Sequence, residues 1–135
     1  MFEKEINNPK KEDWIKITAL LVHAARIDDN YSEKERLIII NFLKSFDDKI
    51  NFKEIIRKAE SDEENSNQIL KYTQEIKKNT IDFKKKIIKI LWKIILSDDS
   101  SDMYENTLMR RIGGLLYISD KLIGEIKIEV LNKKN

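Results

Sequence analysis

Between Phe83 and Ile95 the chain places Phe83, Ile87, Ile88, Ile90, Leu91, Ile94 and Ile95 at steps of one, two, three and four residues. Wound as an α-helix, this segment is apolar around so much of its circumference that it must be surrounded by other elements. A membrane cannot be the cover. The most apolar stretch, residues 87–96, is short and interrupted by Lys89 and Lys93, whereas a spanning helix needs roughly 20 mostly apolar residues. The chain therefore has to supply the surrounding elements itself.

The remaining pattern supplies them as helices. One Pro and three Gly in 135 residues leave few helix breakers and little turn material for a many-stranded sheet. In residues 12–27, Trp14, Ile17, Leu21, Ala24 and Ala25 recur on one helical face. A second helix opens at Ser32, with Leu37, Ile40 and either Phe42 or Leu43 as core positions. Asn51 caps a third helix carrying Ile55, Ile56 and Ala59, and the polar run 60–67 reads as its frayed end and a linker. Ile69, Tyr72, Thr73 and Ile76 define a fourth helix, and Asn79-Thr80 breaks the chain before the central segment. Beyond the polar loop 98–101 lies a helix with Leu108, Met109, Ile112 and Leu115; Ser119 caps a last one with Leu122, Ile123, Ile126 and Val130 inside. The expectation is one all-α domain over residues 1–135, flexible at 1–10 and 132–135.

Composition removes several function classes. Without cysteine there is no thiolate zinc site, disulfide framework or cysteine nucleophile. His23 is the single histidine, so no familiar zinc constellation forms, and it reads as a structural residue near the core face of the first helix. A net charge of +2 from 26 basic and 24 acidic residues is no nucleic-acid polycation. The mixed charges of Glu3, Lys4 and Glu5, with no apolar run behind them, are not a secretory signal and point to the cytoplasm. Gly113-Gly114 lacks the Lys-Ser/Thr of a phosphate loop and marks close helix packing or a helix end.

The segment Asp28-Asp29-Asn30-Tyr31-Ser32-Glu33-Lys34-Glu35 aligns without gaps, 70 residues on, with Asp98-Asp99-Ser100-Ser101-Asp102-Met103-Tyr104-Glu105. Each copy has an acid pair after an apolar helix, a short polar residue third, a helix-capping residue fifth and Glu eighth. This reads as a duplicated helix–acidic loop–helix unit that packs about a pseudo-two-fold axis. With Leu20-Leu21-Val22-His23-Ala24-Ala25-Arg26-Ile27-Asp28 leading into the first copy, and Leu91-Trp92-Lys93-Ile94-Ile95-Leu96-Ser97-Asp98 into the second, the chain resembles the TerB family of tellurite-resistance-associated bacterial proteins over residues 17–126. The resemblance implies a bundle of about seven helices, a divalent-cation site at the acidic loops and a link to tellurite and other stress responses. The family's glycine after each aspartate is Asp29 and Asp99 here, which raises the acid density.

Two readings of the loops compete. Ser32-x-x-Glu35 and Asp102-x-x-Glu105 each fit a capping box, which needs no ligand. The acid pairs are not explained that way, because they follow helix C-termini, where the macrodipole disfavours each exposed negative charge by roughly 0.3–1 kcal/mol. A bound cation, the nearby Arg26, Arg36, Arg110 and Arg111, or simple solvation together with the next helix's N-terminus would offset that. Asp28, Asn30, Glu35, Asp98, Asp102 and Glu105 are the candidate ligands, and their all-oxygen donor set suits Ca²⁺ or Mg²⁺. The loops are not EF-hands, since the sixth and twelfth positions are Glu33 and Ile39 in one and Met103 and Met109 in the other.

Residues 77–93 hold seven lysines against one acid, Asp82. Lys86, Lys89 and Lys93 form a stripe that is either a solvated face or a dock for an acidic partner or anionic membrane surface. No isolated carboxylate pair in an apolar setting marks a hydrolase. The expected function is non-enzymatic: binding of a divalent cation or a protein partner through the paired loops, with a purely structural, salt-bridged interaction module as the alternative and, behind both, a metal-dependent hydrolase whose clustered carboxylates hold two metals.

Overall fold

The computed structural model describes residues 10–27, 31–46, 49–65, 69–98 and 103–134. Within them lie seven α-helices, α1 (Lys11–Ala25), α2 (Glu33–Phe46), α3 (Phe52–Asn65), α4 (Ile69–Lys77), α5 (Ile81–Ile95), α6 (Met103–Leu115) and α7 (Asp120–Lys134). A 3-10 turn, Leu96–Asp98, continues α5. The described residues contain no strand, and none of their helices is long and apolar enough to cross a membrane.

The helix starts are set by local chemistry that the sequence announces. Ser32 Oγ accepts from the Glu35 N–H at 3.2 Å while Glu35 Oε1 accepts from the Ser32 N–H at 2.8 Å, a complete capping box. Asn51 Oδ1 accepts from Glu54 N–H, Thr80 Oγ1 from Phe83 N–H and Ser119 Oγ from Leu122 N–H, opening α3, α5 and α7. The end of α6 is a Schellman motif, in which Ile118 N–H donates to Gly113 O and Tyr117 N–H to Gly114 O. Its left-handed position falls on Tyr117, at φ 60°, where glycine is the usual occupant.

Burial follows the expected stripes in α4, where Ile69, Tyr72, Thr73 and Ile76 are all inside, and in α5, whose apolar residues are buried on most sides. A second helix is equally central. Ile17, Ala19, Leu20, Leu21 and Val22 of α1 are fully buried, because α1 packs extensively on α3 and α4 and also against α5 and α2. In α2 the inner face is Glu35, Ile39 and Leu43; Ile40 and Phe42 are half-buried, and Leu37, expected inside, is 50% exposed. The run Leu37-Ile38-Ile39-Ile40 is apolar at every position, so its own periodicity cannot select a face. α7 runs on through 132–134, where the sequence reads as a flexible tail; no breaker intervenes, and lysines suit a helix C-terminus.

Helix ends carry the 70-residue offset, with Ala25 matched by Ile95 and Glu33 by Met103. α1 and α5 pack together, and α2 lies against both. Trp14, Phe42, Phe46 and Phe83 close one end of this trio edge to face, with Phe46 at 4.9 Å from Trp14 and 5.5 Å from Phe83. Since Trp14 and Phe83 begin their helices while Phe46 ends α2, the opposite end gathers the close of α1, the start of α2 and the close of α5.

Candidate functional site

That opposite end is where the acidic loops attach. Lys34 Nζ, in the first turn of α2, donates to the Ser97 carbonyl at 2.8 Å, so the helix following the first loop is tied to the turn that leads into the second. An ammonium at the close of α5 also complements the negative end of that helix. Glu35 and Glu105, the eighth residues of the two copies, are both buried, at 3% and 6% exposure, where unpaired carboxylates would be strongly disfavoured. Glu35 meets this through the capping box, its Oε1 also accepting from Ser32 Oγ at 3.1 Å. Asp28, Asn30 and Asp102 lie outside the described residues, as do Asp29, Asp99 and Ser100, and Asp98 is described only as the last residue of the 3-10 turn.

Beside the first loop is a polar network that the sequence reading places in a frayed end and linker. Instead, α3 continues to Asn65 and turns Glu60 and Glu63 toward the close of α1. Glu63, 6% exposed, bonds Arg26 Nη1 through Oε1, while its Oε2 lies 3.1 Å from His23 Nδ1. Glu60 Oε2 accepts from Tyr31 Oη at 2.6 Å and from Arg36 Nε at 3.0 Å. Arg26 also reaches the Glu60 carbonyl and stacks 5.2 Å from the Tyr31 ring centroid.

The electrostatics follow from this geometry. Burial first, then the bond to the Glu60 carboxylate, raises the Tyr31 phenol pKa well above its ordinary value. The same carboxylate raises the already high pKa of the Arg36 guanidinium through its hydrogen bond. Both oxygens of Glu63 are engaged, so the network clamps α3 against the loop-bearing end. A signal for it exists in the sequence: Glu63 continues the stripe Ile56, Ala59 at helical spacing, and His23 and Arg26 are three apart on α1. His23 is thus a packed partner of a glutamate. Arg110 and Arg111 are exposed and form no ion pair among the described residues.

Among the described residues, no three of His, Asp and Glu are grouped to hold a metal ion. Glu60 and Glu63 are committed to cationic partners, so a cation at this end would depend on the loop oxygens of Asp28, Asn30, Asp98 and Asp102. Those donors are all oxygens, as a hard divalent ion requires. Comparison with curated proteins and with solved structures gives no match. The model of one family, described as tellurite resistance protein TerB, matches residues 15–127, from the second turn of α1 into α7, and the chain therefore belongs to the TerB family.

Proposed function

We propose that this chain is a non-enzymatic binding protein of a TerB-linked stress response, whose paired acidic loops hold a divalent cation, Ca²⁺ or Mg²⁺, and present that end of the bundle to a protein partner. The supporting observation is the Lys34–Ser97 bond, which ties the first turn of α2, just after the first loop, to the turn at the close of α5 that leads into the second. Asp28 and Asp98 are the leading charged ligands, with Asn30 and Asp102 beside them. Glu35 and Glu105 are secondary to these, since both are buried and Glu35 Oε1 already serves the capping box. On this reading the repeat is a duplicated unit, and the cation offsets the repulsion between acid pairs at two helix ends.

The test is calorimetric titration of EDTA-stripped protein with Ca²⁺, Mg²⁺ and Mn²⁺, alongside the Asp28→Ala/Asp98→Ala variant. Saturable binding that the variant loses is the expected result. Absence of heat, with an unchanged melting temperature at millimolar metal, would refute the cation site. A second reading, an interaction module without metal, is favoured by the pairing of Arg26 and Arg36 with α3 glutamates at this same end. It requires the double variant to lose stability while retaining its binding.

A further inference from the structure

The lysine stripe of α5 does not simply face open water. Lys86, Lys89 and Lys93 line a cavity of about 220 Å³ whose apolar wall is Phe42, Phe46 and Ile90. Lys93 also lines a second cavity, of about 380 Å³, with Lys34 and Lys133 at its rim and Ile38 and Val130 inside. The two depressions share Lys93 and make one groove between α2 and α5 that runs on to α7. From Lys86 to Ser97 it follows α5 and the 3-10 turn that continues it over eleven residues, about 16 Å at ~1.5 Å per residue.

The rim carries more positive charge than the fold neutralises. Lys89 and Lys133 both reach a single carboxylate, Glu129, at 2.8 and 3.9 Å. Lys86 lies over the Phe46 ring, and neither Lys86 nor Lys93 joins an ion pair among the described residues. The Lys133 ammonium is driven below its ordinary pKa, first by its contact with Lys89 and then by coulombic repulsion from the same group. Crowded ammonium groups above an apolar floor are complementary to carboxylates that flank apolar side chains.

We propose that the α2–α5 groove docks an acidic amphipathic segment of a partner polypeptide, about three helical turns long, which seats two apolar side chains in the hollows and sets carboxylates against Lys86, Lys93 and Lys133. A concave, two-hollow groove suits a helix laid along it better than a flat bilayer surface. The site is separate from the acidic loops, and its test is run in EDTA, so failure of the cation reading leaves it standing.

The probe is a fluorescent twelve-residue helical peptide with leucines on one face and glutamates on the other, titrated by anisotropy. Controls are a leucine-to-alanine analogue and a glutamate-to-lysine analogue. Saturable binding to the wild type, weakened at least about tenfold by Lys86→Glu/Lys93→Glu and little by the control Lys71→Glu on α4, is expected; tenfold corresponds to about 1.4 kcal/mol. Circular dichroism checks that the variants, all at exposed positions, keep their helices. The proposal is overturned if the peptide does not bind or if charge reversal leaves its affinity unchanged. It is equally overturned if the lysine-to-glutamate variant loses affinity for anionic phosphatidylserine vesicles and not for the peptide, or if the groove proves to be filled by a second copy whose self-association that variant abolishes.

Discussion

Gly113 and Gly114 are neighbours in the last turn of α6, yet replacing them by alanine is expected to have different consequences for stability. Alanine is favoured over glycine in a helix by about 0.8–1 kcal/mol, so each change begins with a similar gain, reduced somewhat near the helix end. At Gly114 nothing lies within 4 Å of an added Cβ, and Gly114→Ala should stabilise by about 0.5–1 kcal/mol. At Gly113 the added carbon would stand 3.0 Å from Ile123 Cδ1, 3.1 Å from its Cγ1 and 3.4 Å from the Ile118 carbonyl oxygen. Ile123 is itself buried, and its backbone carbonyl accepts from the Trp92 indole at 3.1 Å, which restrains retreat of this part of α7. Overpacking of this kind costs about 1–3 kcal/mol, so Gly113→Ala should lie below Gly114→Ala by about that amount. For a chain of this length the gap is about 3–10 °C in melting temperature. Thermal and urea unfolding followed by far-ultraviolet circular dichroism measure it. A Gly113→Ala protein as stable as Gly114→Ala would show that α6 and α7 are not in close contact at this point.

Thr18 is fully buried in α1, and its hydroxyl has no hydrogen-bond partner among the described residues, so the near-isosteric Thr18→Val should raise stability by about 1 kcal/mol in urea unfolding; destabilisation would mean that the hydroxyl is satisfied. Tyr31 carries a pH signature. Because its folded pKa is raised above the ordinary 10.0, the stability it contributes is fully present below pH 10 and is lost as pH rises through the folded value. Tyr31→Phe should cost about 1.5–3 kcal/mol at neutral pH through the lost bond to the Glu60 carboxylate, and should decline less steeply above pH 10 than the wild type. Parallel slopes for the two proteins in urea unfolding between pH 9 and 11 would rule out that linkage.

Much of the architecture is legible in the chain because helices declare themselves locally. Ser32, Asn51 and Ser119 accept from the N–H groups that helix starts leave free, and the three- and four-residue spacing of Ile69, Tyr72, Thr73 and Ile76 identifies the buried face of α4. Local reasoning stops where a segment is uniformly apolar or uniformly polar. Leu37 to Ile40 offers no contrast from which to choose a face, and packing against α1 and α5 decides in favour of Ile39. The polar run beginning at Glu60 looks like linker because its partners, His23, Arg26, Tyr31 and Arg36, are 24 to 40 residues away.

By itself, then, the sequence determines the helices, their caps, the repeated acidic loops and the family, since each depends on residue type and spacing within a few turns. Only the tertiary structure decides that Glu63 is a buried ion-pair partner, that Lys34 ties the start of α2 to the close of α5, and that the lysines of α5 rim a groove instead of a plain solvated face. Those outcomes depend on which surfaces meet when distant segments bury their apolar stripes together, and the charges that meet there are set by the whole packing arrangement and not by any one helix.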